Sequence, residues 1–503
     1  RVPGGTSGGS VHTSDFTALP RGPLPAIALH SLLDGNRSPF APARMSGVYP
    51  STYVHSLFDG VPSSLSWDLV EAAFRRRVRT GAMLVGVFLG VAGRNPIIGP
   101  ITMVVVGAIT GFVAAAVLVV VLALTAGLGP ITIHVILPVL PEIQRVFTAT
   151  SAVTQLTLTL GVLAMAVSTI FYGPAADRFG RKPVLLIGLM LFILGSVVCI
   201  WSPNVETLIF GRLVQAIGGA SGMVVARATI RDMFSREESA RMIGQVMSIV
   251  VISPIISPVI GGFIVQFAGW QYIFILTAVM GLVTLTFALP NIRETRVANA
   301  QTSRLVDTFR AFPSLLRDPA FVAYAGYAGC GMGVFMVVAG GVPFLMADVF
   351  QRSPAAFGMF FMMMSGSFLI GTVISSRITL RVGLDRMIQI GSTGSMVAAL
   401  FVPALFLADV QSPWAIFIPG IIMGIFHGLA MPNAQAGAVS VNPQVAGSAS
   451  GLTMFLQMTI GAAFGQAAGM LPHDSGLPIA ILIGLAGFGG FAVYNGRKFL
   501  FRE

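Results

Sequence analysis

The stretch PVLLIGLMLFILGSVVCIWS, residues 183–202, contains 20 consecutive residues without a charge. A helix of about 20 mostly apolar residues is long enough to cross the hydrocarbon core of a bilayer. Two cations, Arg181 and Lys182, stand directly before it. The stretch therefore predicts a membrane-spanning helix that begins at a charged loop.

Similar runs recur along the chain from residue 112 onward, and they give twelve predicted spans. One long polar break, residues 291–318, divides the spans six and six. The runs are continuous and do not alternate between apolar and polar residues, which excludes a β-barrel. We therefore expect an all-α integral membrane protein with twelve transmembrane helices in two pseudo-symmetric six-helix halves. The predicted spans are 113–140, 152–173, 183–202, 206–230, 242–267, 270–290, 319–347, 355–379, 386–408, 412–436, 445–470 and 477–495.

The composition of the whole chain agrees with this interpretation. Of its 503 residues, 55% are hydrophobic and 10% are charged, and the mean hydropathy is +0.84. An ordinary soluble domain carries about 25% charged residues. These values exclude a soluble globular enzyme, a disordered regulator and a coiled coil. The two cysteines, Cys199 and Cys330, give neither a metal-ligand spacing nor a disulfide framework, so we expect no metal and no cofactor.

The positive charges stand in alternate loops. From residue 112 onward, one set of loops holds 17 Arg and Lys residues, and the intervening loops hold Arg145 and Arg352. We call the two ends of the predicted bundle the arginine-rich end and the arginine-poor end. Because cytoplasmic loops are enriched in Arg and Lys, both termini of this region are expected in the cytoplasm. This arrangement favours a lipid bilayer, and not nucleic acid, as the reason for the net charge of +11.

A faint internal repeat relates the two halves. Gly180 matches Gly383 at an offset of 203, and Pro138 matches Pro343 at an offset of 205. Two related six-helix halves are typical of transporters that bind their substrate between the halves. The predicted organisation is a leader over 1–111, an N-terminal half over 112–290, a cytoplasmic linker over 291–318, a C-terminal half over 319–495 and a cytoplasmic tail over 496–503.

The leader differs from the rest of the chain. Residues 1–67 are rich in Gly, Pro and Ser and lack a helical period, which predicts disorder. Four arginines between residues 75 and 79 precede an apolar stretch that begins at Gly81, as in a signal peptide or an additional anchor. The alternative is a single span after a leader that does not belong to the native chain. On that interpretation, a chain that starts at Met83 or Met103 inserts and transports as well as the full chain.

Three motifs carry a family resemblance. The loop after the second span reads GPAADRFGRKP (173–183), the fourth span contains RLVQAIGGA (212–220), and the fifth contains PVIGG (258–262). Together they resemble signature sequences of the major facilitator superfamily. The segments LPVLP (137–141) and ARATIRD (226–232) are similar to the bicyclomycin-resistance (Bcr/CflA) branch of its drug:proton antiporters. The resemblance covers residues 112–495.

The resemblance implies a function. It implies a monomeric secondary transporter of the bacterial inner membrane that exports small apolar drugs in exchange for protons, as in multidrug resistance. The chain lacks a nucleotide-binding loop sequence and a nucleophile–base constellation, so we expect neither ATP use nor enzyme activity. An uptake or metabolite carrier of the same fold, and a membrane receptor or scaffold that transports nothing, remain the alternatives.

Gating is expected at two places. In the loop, Asp177 can cap a helix or pair with an arginine of a neighbouring helix, and the basic residues keep the loop on the cytoplasmic side. In the fifth span, Pro and Gly bend the helix and allow another backbone to approach closely. A plain topogenic turn and a statically kinked helix are the alternatives. The predicted gating residues are Asp177, Arg178, Gly180, Arg181, Pro258, Gly261 and Gly262.

Several polar or flexible side chains in the spans are candidate substrate contacts. An intramembrane ionisable residue is costly and usually faces a cavity, although each of these side chains could instead bond or pack against a neighbouring helix. Methionine suits a pocket that accepts many shapes. The predicted substrate contacts are Arg212, Gln215, Tyr327, Met336, His427 and Asn433.

The predicted proton site departs from the family pattern. Members of the resembled branch carry an Asp four residues before the first Pro of the LPxLP run, and here that position is His134. Either coupling is lost and His134 only bonds a neighbour, or His134 carries the proton together with Arg212, which lies at the same depth; Glu142 is the next candidate. All 19 acidic residues stand outside the interiors of the predicted spans. A cationic compound would meet Arg212 without a compensating carboxylate, so neutral or anionic substrates of the amphenicol kind are expected.

Overall fold

The structure is a computed structural model that describes residues 98–295 and 305–500. Within these ranges every regular element is helical. Eleven of the described helices are long and apolar enough to cross a membrane. The predicted all-α membrane fold is thereby confirmed, whereas the expectations for residues 1–97, 296–304 and 501–503 lie outside the described residues.

The first predicted span, 113–140, is interrupted by prolines. Helix α1 ends at Val135, a 3-10 turn follows over Leu137–Val139, and the short helix α2 resumes at Leu140. Proline has no N–H to donate, so Pro138 and Pro141 break the helical ladder. The helices of the N-terminal half are α1 (Ile98–Val135), α2 (Leu140–Val146), α3 (Ser151–Phe179), α4 (Arg181–Ile200), α5 (Val205–Met233), α6 (Arg236–Phe267) and α7 (Gln271–Asn291).

The C-terminal half follows a short helix within the predicted linker. That helix is α8 (Leu305–Arg317). The predicted eleventh span, 445–470, is a helix of 25 residues, but it is not among the eleven apolar spans. Its serines, threonines and glutamines lower its hydropathy. The helices of this half are α9 (Pro319–Asp348), α10 (Pro354–Val382), α11 (Leu384–Leu407), α12 (Trp414–Ser440), α13 (Ala446–Met470) and α14 (Leu477–Leu500).

A glycine turn joins α3 to α4 in the N-terminal half, and a matching glycine turn joins α10 to α11 in the C-terminal half. Gly180 lies between α3 and α4 with φ 99° and ψ 154°, and Gly383 lies between α10 and α11 with φ 90° and ψ 148°. This backbone region is almost restricted to glycine. The two residues paired by the 203-residue repeat therefore adopt the same turn.

The two halves meet along two helix pairs, α3 with α13 and α6 with α10. The second contact is reciprocal. A Cβ atom added to Gly262 would lie 2.5 Å from the Pro354 carbonyl oxygen, and one added to Gly358 would lie 2.5 Å from the Pro258 carbonyl oxygen. Each glycine thus admits the backbone of the other half. The carbonyl that approaches each glycine belongs to the proline that stands four residues before the other glycine.

Polar contacts join the halves at the arginine-poor end. The Ser151 hydroxyl donates to the Gly469 carbonyl at 2.9 Å, and Arg145 pairs with Asp348 at 3.5 Å. At the opposite end, Phe179 at the end of α3 is 64% exposed, and Leu380 in the last turn of α10 is 96% exposed. The bundle is therefore closed at its arginine-poor end.

Candidate functional site

His134 lies near the arginine-poor end of α1, where the two halves meet. Its Nδ1 donates to the Pro130 carbonyl at 2.6 Å, because a carbonyl oxygen only accepts. The Ser253 hydroxyl of α6 lies 3.4 Å from the same nitrogen. The ring packs edge-on against Phe335 of α9, with centroids 5.6 Å apart. The imidazole thus touches the opposite half, and its Nε2 carries the lone pair that can accept a proton.

Arg212 is the buried cation of the N-terminal half, with 3% of its surface exposed. Its Nε donates to the Thr157 carbonyl of α3 and its Nη2 to the Thr132 carbonyl of α1, both at 3.2 Å. Its Nη1 donates to Gln215 Oε1. The guanidinium is directed into the helix packing of its own half, and it reaches α1 two residues before His134.

Gln215 extends this network. Its Nε2 donates to the Ser196 hydroxyl of α4 at 2.7 Å and to the Thr277 hydroxyl of α7 at 3.1 Å. Through Arg212 and Gln215, helices α1, α3, α4, α5 and α7 are joined by one chain of hydrogen bonds. The two predicted contact residues are therefore brought together, but they are buried among the helices of one half.

His427 occupies a similar setting in the C-terminal half. Its Nδ1 lies 3.0 Å from the Ser395 hydroxyl of α11 and 3.3 Å from the Met423 carbonyl, four residues before it. The ring stacks on Tyr327 of α9, with centroids 6.0 Å apart. A Cβ atom on Gly331 would lie 2.7 Å from His427 Nε2. Both histidines are therefore held at Nδ1 by the carbonyl one turn earlier and by a serine, but His427 faces its own half.

Two other predicted contact residues, Asn433 and Met336, lie apart from His427 and Tyr327. Asn433 donates from Nδ2 to the Ser375 hydroxyl of α10 at 2.8 Å and to the Leu429 carbonyl at 2.7 Å. Met336 is buried against α13, where a Cβ atom on Gly461 would lie 3.3 Å from its Cγ. The structure thus distributes the predicted substrate contacts over several helix interfaces.

The loop at Gly180 carries a charged cluster at the arginine-rich end. Arg181, the first residue of α4, pairs with Asp177 in the last turn of α3 and with Asp232 at the end of α5, the latter at 2.9 Å. The Glu294 carboxylate accepts the backbone N–H groups of Arg181 at 2.9 Å and Lys182 at 3.2 Å, which caps the start of α4. A Cβ atom on Gly180 would overlap this carboxylate. The cluster ties α3, α4, α5 and the segment that follows α7 together within one half.

The remaining predicted gating residues lie on the surface of the loop and along α6. The Arg178 guanidinium lies over the ring of the neighbouring Phe179, 5.3 Å from its centroid. A Cβ atom on Gly261 would overlap the Val135 carbonyl of α1, so this glycine packs within the N-terminal half. Gly262 faces the other half instead. Of the two carboxylates that bind this loop, Asp232 stands in one of the sequence motifs and Glu294 stands in none; the position of Glu294 shortly after the sixth span is the signal for it.

The polar seam between α3 and α13 has no counterpart among the residues predicted from the sequence. The Thr159 hydroxyl donates to Gln466 Oε1 at 2.7 Å, and Gln466 Nε2 donates to the Ala152 carbonyl at 2.9 Å. Gln155 lies beside them, fully buried, and neither atom of its amide has a hydrogen-bond partner. A polar amide in an apolar span was the signal that could have identified it.

A cavity of about 440 Å³ lies at the arginine-poor end, outside the contacts that close it: its lining includes Arg145, which pairs with Asp348. Residues of both halves line it, including Glu142, Arg145, Arg352, Ser353 and Phe357. Glu142, the second candidate for the proton site, thus lies at this mouth.

The chain is similar to known membrane transporters in sequence. A family model described as the Major Facilitator Superfamily matches residues 122–466. The chain is 29% identical to the uncharacterized MFS-type transporter YdgK of Bacillus subtilis, over 75% of this chain and 94% of the relative. It is 27% identical to a bicyclomycin resistance protein homolog of Haemophilus influenzae, over 71% and 90%. It is 25% identical to multidrug resistance protein D of Escherichia coli, over 73% and 92%.

Solved structures share the fold. A bacterial homolog to the human lysosomal transporter Spinster, in an inward-facing and unoccupied conformation, aligns with a TM-score of 0.62 and 16% identity, covering 77% of this chain and 98% of that one. A D-xylose-proton symporter aligns with a TM-score of 0.59 and 14% identity, covering 75% and 97%. At these identities the likeness concerns the fold alone.

Proposed function

Since the matching family model covers residues 122–466, the chain belongs to the major facilitator superfamily, and on that premise we propose that it exports small apolar drugs in exchange for protons. It is a multi-pass membrane transporter and not an enzyme. Relatives named as bicyclomycin and multidrug resistance proteins support efflux as the direction of transport. We place the protein in the bacterial inner membrane as a monomer, with lipid around its exposed apolar helix faces.

The orientation follows from the loop charges. With 17 Arg and Lys residues in one set of loops, the arginine-rich end is assigned to the cytoplasm, together with both termini of the helical region. The halves are closed at the opposite end, where Ser151 bonds Gly469. In this conformation a compound enters from the cytoplasm, which is the loading step of export.

The position of His134 carries the proposal of proton exchange. Its ring contacts Phe335 of the opposite half, so a rocking motion of the halves changes its surroundings. An unperturbed imidazole is the side chain that gains and loses a proton between pH 5 and 8. Arg212 donates to the carbonyl of Thr132 on the same helix and disfavours a second positive charge nearby. Opening towards the more acidic outside loads the proton, and opening towards the cytoplasm releases it.

The buried charge of Arg212 supports a substrate class. Arg212 is bonded to two backbone carbonyls and an amide oxygen, all of them neutral. At about 6 Å from Arg212 and an effective dielectric constant of 20, a positive charge on the transported compound would cost roughly 3 kcal/mol. Neutral or anionic compounds of the amphenicol kind are therefore the proposed cargo.

The experiment compares variants in everted membrane vesicles and in an efflux-deficient bacterium. His134→Ala should abolish drug-induced proton movement and resistance while the protein still inserts, and His134→Asp should restore both with a more acidic optimum. His473→Ala is the matched control, because His473 lies in the loop between α13 and α14. His134→Ala that transports against a gradient as well as the parent would exclude His134 as the carrier. Accumulation of the drug in cells that express the chain would instead indicate an uptake carrier.

A further inference from the structure

Gln155 of α3 reaches across the seam into the opposite half, at the closed arginine-poor end. Its side chain is 0% exposed. Three glycines from two helices of the C-terminal half form the notch that receives it: Gly340 on α9, and Gly465 and Gly469 on α13. The amide therefore lies at the contact that must separate if this end is to open.

The fit between Gln155 and the notch depends on the missing side chains of these glycines. A Cβ atom on Gly340 would overlap Gln155 Nε2, and one on Gly469 would lie 2.6 Å from Gln155 Cβ. On Gly465 it would lie 3.5 Å from Nε2. The notch thus accommodates the shape of the glutamine closely, and alanine at position 340 would displace it.

The notch does not satisfy the polar groups of the glutamine. Neither Nε2 nor Oε1 of Gln155 has a hydrogen-bond partner. Gln466, on the same seam, bonds through both amide atoms, to Thr159 and to the Ala152 carbonyl. The seam therefore contains one satisfied and one unsatisfied glutamine within the same closed contact.

An unsatisfied buried amide raises the free energy of the state that buries it. Opening the arginine-poor end would withdraw Gln155 from the notch and give its amide access to water or to a polar group of the cargo. We propose that Gln155 is a positioning residue that reduces the free-energy preference for the conformation closed at the arginine-poor end. The transporter therefore leaves this inward-open conformation readily. The inference rests on the proposed function only in requiring that the two halves rock.

The test measures the populations of the two conformations. Spin labels at Phe179→Cys and Leu380→Cys, both exposed positions on opposite halves, report the width of the arginine-rich end after Cys199 and Cys330 are replaced by alanine. In lipid nanodiscs, Gln155→Met keeps the length of the side chain and removes the unsatisfied amide. It should raise the ratio of wide to narrow distances about ten-fold, which corresponds to about 1.4 kcal/mol, and should slow drug transport.

Two further variants separate this effect from general damage. Gly340→Ala should shift the ratio in the opposite direction, because its methyl group excludes Gln155 from the notch. Gln457→Met removes an amide of α13 that already bonds Gln435 at 3.0 Å, and it should leave the ratio unchanged. If Gln155→Met behaves like Gln457→Met while the parent shows both distances, the role of Gln155 is refuted and the rocking motion stands. A single distance in every variant, Gly340→Ala included, refutes both.

Discussion

The two halves share a backbone turn but use different chemistry around it. In the N-terminal half, the turn at Gly180 is surrounded by an ion-pair cluster in which Arg181 contacts Asp232 at 2.9 Å. In the C-terminal half, the first turn of the helix after Gly383 carries Asp385, which accepts hydrogen bonds from the hydroxyls of Tyr324 and Tyr494 at 2.8 and 2.9 Å. The repeat thus preserves the geometry of the turn, while each half anchors it in its own way.

The helix interiors differ in the same manner. The N-terminal half buries a cation, Arg212, whose hydrogen bonds reach two other helices, α1 and α3, and Gln215 of its own helix. The C-terminal half buries His427 between Ser395 and Tyr327. If the halves divide the work, the first couples to protons and the second contacts the cargo.

His134→Ala and His427→Ala should have different consequences. The first should reduce drug-induced proton movement to background, because it removes the imidazole at the contact between the halves. The second should leave proton movement intact and raise the KM for the drug about five-fold, since a lost contact is worth about 1 kcal/mol. Parallel measurements of vesicle pH and labelled drug uptake distinguish the two. Equal loss of proton movement in both variants would contradict the division.

Gly180→Ala should destabilise the protein more than Gly383→Ala. Both positions have the positive φ that costs a side chain about 1–3 kcal/mol. At Gly180 the new methyl group also displaces the Glu294 carboxylate that caps α4, whereas no atom lies within 4 Å of a Cβ at Gly383. Thermal unfolding in detergent, followed by the Tm, should rank them in this order. The reverse order would show that the ion-pair cluster does not stabilise the turn.

Gly262→Ala and Gly358→Ala should have nearly equal effects. Each methyl group would meet a proline carbonyl of the other half at 2.5 Å. Both variants should therefore loosen the arginine-poor end and shorten the spin-label distance at the other end to the same degree, within about two-fold in population. A marked difference between them would mean that the reciprocal contact is not shared equally.

His473 provides the smallest expected effect. Burial lowers the pKa of its imidazole below the ordinary value of 6.5, against the opposing attraction of Asp348 and Asp474. Because of the lowered pKa, the unfolded chain binds more protons than the folded one below pH 6.5. The free energy of unfolding therefore keeps its full value above pH 6.5 and decreases as the pH falls below it. His473→Gln should lessen the fall in Tm between pH 7.5 and 5.5, by on the order of 1 °C. An unchanged pH dependence would contradict this assignment.

The sequence predicted what depends on continuous apolar runs and on glycine turns. The span at 183–202 corresponds to α4, and Gly180 and Gly383 adopt the same positive φ. The limits of the first span could not be predicted, because the length of a helix before Pro138 depends on its packing. Helix α13 is less apolar than the other spans, because a helix that packs between the halves need not be as apolar as one that faces lipid.

The site could be predicted less completely, because its members come from distant parts of the chain. Asp177 and Arg181 are neighbours in sequence, but Glu294 reaches them only after α7 has returned to the arginine-rich end. Gln155 has no local motif at all. Its burial depends on Gly340, which stands 185 residues later and belongs to the other half.

The reciprocal contact between α6 and α10 lies closer to one end of the bundle than to the other. From Pro258 to Arg236, the arm of α6 towards the arginine-rich end is about 33 Å long at 1.5 Å per residue, and the arm from Pro258 to Phe267 is about 14 Å. A rotation of the halves about this contact moves each end by a distance proportional to the length of its arm of α6. A narrow opening of a few ångströms on the arginine-poor side therefore accompanies a displacement more than twice as large on the arginine-rich side. The off-centre position of this contact gives the arginine-rich end the wider opening and the arginine-poor end the narrower one.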